Sequence, residues 1–219
     1  MRLVFLGPPG SGKGTQAERL AQRLGLEHVS TGDMFRRAIE RKTAVGLKVE
    51  MLVKNGELVP DGLVGEVVRA HLAERSNQHG FILDGFPRTV QQAEMLEQIL
   101  AERGWSLDAA VSFRVPEAVV IERLGGRRVC SRCGATYHVT ALPAGETGCP
   151  RCGGTLVIRE DDKADAVRRR LEIYWQTARP VEEYYRERGL LRVVDADKSI
   201  EQVEEALLQI IGGDGHGAH

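Results

Sequence analysis

The sequence predicts an α/β fold built on a parallel sheet covered on both faces. Two observations carry this. Short apolar runs bounded by turn signals recur along the chain with helical periodicity between them. The first of these runs leads straight into a glycine-rich loop that opens a helix, Gly7-Pro-Pro-Gly-Ser-Gly-Lys-Gly-Thr15.

In chain order, strands are predicted over 2–6, 27–29, 81–84, 109–115 and 190–195, and helices over 13–24, 61–74, 90–103, 117–124, 164–187 and 200–211. The last helix is the best signalled. Ser199 and Gln202 form a capping box, Ile200, Val203, Leu207 and Ile210 share one face, and Gly212 follows the end. Thr89 and Gln92 read as a second capping box. Two stretches break the alternation: 30–59 is polar and helical without a strand, and 126–162 is rich in Gly, Pro, Arg and Cys. Both follow elements that deliver the chain to one edge of the sheet, where α/β proteins bind ligands. The glycine-rich tail 212–219 is expected to fray.

A chain of 219 residues accommodates one large domain or one domain with inserts. A formal net charge of −1 gives no general electrostatic pull toward nucleic acid. No apolar run approaches the roughly 20 residues of a membrane span. Lys13 and Glu18 follow the first apolar run too soon for a secretory signal, so that run reads as a buried strand of a cytoplasmic protein.

The loop Gly7-x-x-x-x-Gly12-Lys13 has the spacing of a phosphate-binding loop, with a hydroxyl at Thr15 and Gly14 where Ser or Thr usually stands. Its glycines let backbone N–H groups turn inward, the following helix adds its positive end, and Lys13 brings a mobile charge to the β- and γ-phosphates. Asp84 ends an apolar strand, a position from which P-loop proteins help hold Mg²⁺ near the loop hydroxyl. Taken alone, Asp84 reads equally as a strand-end turn residue or a helix cap.

All four cysteines lie in two Cys-x-x-Cys units, Cys130/Cys133 and Cys149/Cys152, separated by fifteen residues and each followed by glycine. This is the spacing of a tetrahedral zinc site. Four protein ligands leave no open position, so the zinc would be structural and would fold a segment poor in apolar residues. Two disulfides or a redox dithiol are the alternatives. Phosphoryl transfer also needs planar cationic donors. Arg36, Arg88, Arg123, Arg127, Arg159 and Arg170 lie in or beside the segments already singled out, although each read alone is also an ordinary solvated arginine.

Together these pieces resemble the adenylate kinases, in the long form whose lid carries zinc. The resemblance covers roughly residues 1–211. It rests on the loop at 7–15, His-Val-Ser-Thr-Gly-Asp-Met-Phe-Arg at 28–36, Asp-Gly-Phe-Pro-Arg at 84–88, Arg-Leu-Gly-Gly-Arg-Arg at 123–128, the four cysteines and Arg-Glu-Asp-Asp at 159–162. The Lys-Gly-Thr departure is that family's own variant of the loop. The resemblance implies a three-layer P-loop kinase fold with a five-stranded parallel sheet and two inserted small domains. The core would be 1–29, 60–125 and 163–219, the AMP-binding domain 30–59 and the zinc-binding lid 126–162.

It further implies reversible transfer of the γ-phosphoryl group of ATP·Mg²⁺ to AMP, giving two ADP, by a monomer with no nucleic-acid or membrane partner. Gly10, Ser11, Gly12, Lys13, Gly14 and Thr15 would hold the ATP phosphates. Arg127, Thr136 and Tyr137 would contact ATP from the lid, Arg123 would pack on adenine or reach phosphate, and the backbone at Lys198 would touch adenine. AMP would lie against Thr31, Arg36, Glu57, Leu58, Val59, Gly85, Phe86, Pro87, Arg88 and Gln92. Arg159 and Arg170 would clamp the transferring phosphoryl group and AMP. Two rival readings are a kinase with UMP, CMP or GMP as acceptor, and a zinc-ribbon binding module using Arg127, Arg128, Arg132, Arg151, Tyr137 and His138.

Overall fold

The computed structural model describes residues 1–74, 79–143 and 145–212. The frayed tail expected from the sequence therefore lies outside the described residues from 213 onward.

Five strands, β1 (Arg2–Leu6), β2 (Glu27–Ser30), β3 (Phe81–Asp84), β4 (Ala109–Arg114) and β8 (Leu191–Asp195), form one parallel sheet in the order β2-β3-β1-β4-β8. The inner strands β3, β1 and β4 are largely apolar because both faces are covered, whereas the edge strands β2 and β8 carry polar and charged residues. On β1, Leu3 and Phe5 pack with Ala17 and Leu20 of α1 (Lys13–Leu24) and Val203 and Leu207 of α8 (Ile200–Gly212). Val4 and Leu6 face the other way, toward α4 (Asp61–Glu74), α5 (Val90–Ala101) and α7 (Ala164–Glu187). This period of two splits the core into two apolar layers with the sheet between them.

Local signals set the element ends. α1 stops at Gly25, whose φ of 66° is left-handed. In α8, Ser199 Oγ accepts the Gln202 N–H at 3.3 Å and Gln202 Oε1 accepts the Ser199 N–H at 3.2 Å, the capping box read from sequence. Of the face assigned to that helix, Val203 and Leu207 are buried but Ile200 is exposed. The box at Thr89 is displaced: Thr89 Oγ1 accepts from Gln92 N–H, but Gln92 Oε1 takes the N–H of Arg88 instead of Thr89.

Two segments depart from the strand–helix alternation, and the first of them packs Phe35 and Val49 into the same apolar layer as α4 and α5. Residues 30–59 form α2 (Thr31–Glu40) and α3 (Ala44–Asn55), helical as the sequence indicates. After α6 (Glu117–Gly126) the chain forms β5 (Arg127–Cys130), β6 (Thr136–His138) and β7 (Leu156–Val157). They make a separate antiparallel sheet in the order β6-β5-β7. These strands have no counterpart in the sequence expectation, because runs of two to four residues are too short to carry a readable alternation. A 3₁₀ turn at Glu160–Asp162 then leads into α7.

Candidate active site

The glycine-rich loop leaves the carboxyl end of β1 and curls over the start of α1. Gly10 has φ 81° and its α-carbon abuts α6, where a side chain would stand 2.8 Å from Leu124 Cγ and 3.0 Å from the Val120 carbonyl. Only glycine meets both conditions. Gly12, with φ 91°, caps α1 without any side-chain bond, so the first-turn N–H groups are left for a ligand. The Lys13 ammonium donates to the carbonyls of Gly7 and Pro8, both at 2.8 Å, and to Ser11 Oγ at 3.2 Å. Burial pushes its pKa down to about 8, with Arg88, Arg170 and Arg127 adding to the effect and Asp84 opposing it.

Asp84 ends β3 against the same turn; a Cβ at Gly14 would sit 3.3 Å from Asp84 Oδ2, a tight contact. His28 Nε2 lies 3.7 Å from that oxygen. Burial works to raise the Asp84 pKa, but His28 and Lys13 outweigh it and hold the carboxyl below its usual range.

The arginines converge on this loop from three directions. Arg36 of α2 pairs with Asp33 at 2.7 Å and Asp161 at 3.4 Å. Arg127 grips Asp162 with two nitrogens, its Nε bond being 2.7 Å. Arg170 of α7 reaches the Asp161 carbonyl at 2.9 Å and carboxylate oxygens of Asp161 and Asp162 at 3.3 and 3.2 Å. Arg159 lies 3.7 Å from Asp33, Arg88 donates to the Gly85 carbonyl at 2.8 Å, and Arg123 donates to the Ala196 carbonyl at 3.0 Å. Burial, reinforced by Arg36 and Arg127, pushes Arg159 down to about 10; burial and Arg127 do the same to Arg170 against the pull of Asp161. A guanidinium does not deprotonate near neutrality, so both arginines stay charged and a bound anion would offset the cost of burying them.

These side chains line one cleft of about 1520 Å³ that runs from the loop to the β5–β7 sheet. A smaller recess of about 60 Å³ opens beside it, lined by Thr31, Arg36, Glu57, Leu58, Val59, Gly85, Arg88, Gln92 and Arg170. Gln92 is buried with both ends of its amide engaged, Oε1 on the Arg88 N–H and Nε2 on Asp61 at 2.7 Å. Of the nucleotide residues named from sequence, Phe86 alone lines neither space. Its ring is fully buried in the apolar core, so at that position only backbone is left to meet a ligand.

The four cysteine sulfurs lie within 4.8 Å of one another. The shortest pairs, Cys130–Cys152 at 3.5 Å and Cys133–Cys149 at 3.7 Å, are far beyond the roughly 2.05 Å of a disulfide. They approach the spacing of about 3.8 Å that four Zn–S bonds of ~2.3 Å impose in a tetrahedron. Cys130 Sγ accepts the N–H groups of Arg132 and Cys133 at 3.3 and 3.4 Å. Gly134 and Gly153 take φ of 73° and 70° to close the two turns. The donor set and its geometry fit a four-thiolate metal ion.

The family profile described as adenylate kinase matches residues 5–190. The chain belongs to the adenylate kinase family. An adenylate kinase of Moorella thermoacetica is 49% identical over 98% of this chain and 99% of its own length. Those of Fervidobacterium nodosum and Carboxydothermus hydrogenoformans are 46% and 48% identical, covering 97% and 93% of this chain and 98% and 95% of their own.

Within this adenylate kinase family chain, four groups at the cleft carry no role from sequence reasoning: His28, Asp33, Asp161 and Asp162. The signal for the last two is the acidic run Glu160-Asp161-Asp162 after Arg159, of which Asp161 and Asp162 are buried in the fold and therefore in need of cationic partners. Tyr137 differs in another way. Its hydroxyl lies 3.3 Å from Cys149 Sγ, so the side chain serves the cysteine cluster while its strand borders the cleft.

The Lys13 shift has a measurable consequence. The empty site loses its proton near pH 8, whereas a phosphate beside the ammonium restores the ordinary affinity of a lysine, with pKa about 10.4. Between these values the unfolded chain binds more protons than the fold, so this group destabilises the fold below pH 8 and the penalty lifts as pH rises. Calorimetric titration with ATP at pH 8.5, in buffers of different ionisation enthalpy, should show proton uptake on binding and weaker affinity than at pH 7. Proton release would contradict the assignment of Lys13 to the phosphates.

Proposed function

We propose that this chain transfers the γ-phosphoryl group of ATP·Mg²⁺ reversibly to AMP, giving two ADP, and so balances adenine nucleotides. The observation that carries the reading is a single phosphate loop joined by one arginine cluster to a second recess of its own, which supports a donor and an acceptor nucleotide meeting at their phosphates. Residues 1–29, 60–125 and 163–219 act as the core, 30–59 as the acceptor domain and 126–162 as the lid. Gly10 to Thr15 cradle the donor phosphates, with Lys13 turning from the loop carbonyls to the β- and γ-oxygens.

Asp84 and the Thr15 hydroxyl are the groups that would hold Mg²⁺, and their place beside the loop fits that role. Mg²⁺, when bound, offsets charge on the β- and γ-phosphates. Arg88, Arg123, Arg127, Arg159 and Arg170 stabilise the equatorial oxygens in the transition state. Arg36 shares the acceptor phosphate, while Thr31, Val59 and Gln92 surround its base. No protein nucleophile is required, because positioning and charge stabilisation carry the reaction. The contacts Arg36–Asp161 and Arg159–Asp33 tie the acceptor domain to the end of the lid, which favours closure with both nucleotides present and keeps water from competing as acceptor.

Cys130, Cys133, Cys149 and Cys152 would hold Zn²⁺ as a structural ion, fastening the lid sheet without touching the reacting phosphates.

Coupled assays with AMP, CMP, UMP and GMP side by side test the substrate. AMP should exceed the others by at least about 100-fold in kcat/KM, the discrimination a site built for one base achieves, and the Lys13→Met variant should lose nearly all turnover while keeping its fold. A comparable rate with another acceptor would replace the AMP reading. Removing the metal by chelation should lower the thermal midpoint more than the initial rate; loss of activity in a lid that stays folded would give the zinc a catalytic role instead.

A further inference from the structure

A long-range contact of the phosphate-loop helix lies beside the cleft and is not used by the reaction chemistry. Gln16, on the first turn of α1, is buried, and its Nε2 donates to the Ile200 carbonyl at 2.8 Å, joining residues 184 positions apart. The direction of the amide is dictated by its partner, since a carbonyl can only accept. Gln16 keeps this orientation although its own Oε1 then finds no hydrogen-bond partner among the described residues.

The bond falls at one end of a short backbone segment that borders the cleft. Residues 196–199 connect β8 to α8, and Ala196, Asp197, Lys198 and the first helical residue Ile200 line the cleft wall. At the other end, Arg123 of α6 holds the Ala196 carbonyl at 3.0 Å. The Asp197 N–H is taken by Asp195 Oδ1 at 3.0 Å, and the Ser199–Gln202 box fixes the turn into α8. Further out, Arg19 of α1 meets Glu204 of α8 at 2.6 Å, so the two helices are already fastened on their outer side. The Gln16 bond is therefore not needed merely to dock α8. It adds a fixed point where the helix meets the cleft.

We propose that Gln16 is a positioning residue for donor-base selection, holding the 196–200 backbone at a set distance from the phosphate loop. The inference rests on the reading above that the backbone at Lys198 meets the donor adenine. A main-chain carbonyl accepts from the 6-amino group of adenine and repels the 6-oxo group of guanine, but only while the peptide is held in one orientation. A loop free to rotate a peptide presents its N–H instead and accepts either base. Gln16 comes from the same helical turn that faces the phosphates. One rigid element thus sets both where the phosphates sit and where the base-reading carbonyls sit.

Gln16→Met keeps the length and removes the donor, and Gln16→Glu puts an acceptor against the Ile200 carbonyl. Each should raise KM for ATP about fivefold, the worth of one hydrogen bond, and lower the ATP-to-GTP ratio of kcat/KM by at least as much. The KM for AMP and kcat at saturation should stay within about twofold. Amides 199–203 should exchange faster with solvent. An unchanged ATP-to-GTP ratio in folded variants of an enzyme whose wild type prefers ATP would overturn the role of Gln16. A wild type that does not discriminate ATP from GTP would instead overturn the reading of 196–200 as the base loop. Failure of both variants to fold would assign the bond to the fold and overturn the proposal.

Discussion

A lysine and a group of arginines gather around the phosphate loop beside a few buried carboxylates, and the rest of the structure depends on how these charges are held together. Lys13, Arg36, Arg88, Arg123, Arg127, Arg159 and Arg170 repel one another at short range in surroundings that screen poorly. Asp33, Asp84, Asp161 and Asp162 offset part of that repulsion. Burial, with the neighbouring arginines adding to it, lowers the pKa values of Lys13, Arg159 and Arg170. Such a site is preorganised for a polyanion, because the cost of assembling its charges is met during folding and not during the reaction.

The fold supplies the fixed points. The sheet brings the carboxyl ends of β1 and β3 side by side, which sets the phosphate loop against Asp84. α7 carries Arg170 in from the acceptor side, and the turn before it buries Asp161 and Asp162 between arginines from three separate segments. Arg127 begins the strand that carries Cys130 at its other end. A single short strand thus links the arginine cluster to the cysteine cluster, and disorder in the metal-binding turns would reach Arg127 directly.

Much of this was legible in the sequence, and the limits have physical causes. The bounds of β1, α1, α4, β3 and α7 follow from apolar runs, caps and glycine stops, which act locally. The three short strands of the cysteine segment escape because their pairing is decided by the sulfur cluster and by turns, not by alternation. The phosphate loop and the cysteine spacing are contiguous motifs and so were visible. The Asp33–Arg36–Asp161–Arg170 network is not contiguous; it exists only once α2, the 3₁₀ turn and α7 are brought together. Phe86 shows the opposite limit, since a motif residue can sit beside a site and still spend its side chain on the core.

The central claim is that the buried arginines are phosphate ligands held in readiness by carboxylates. A crystal structure with AMP and a non-hydrolysable ATP analogue bound together measures this most directly. The guanidinium groups of Arg36, Arg88, Arg127, Arg159 and Arg170 should each lie about 2.7–3.2 Å from a phosphate oxygen. Phosphates bound away from these groups, with the arginines still paired only to Asp33, Asp161 and Asp162, would contradict it.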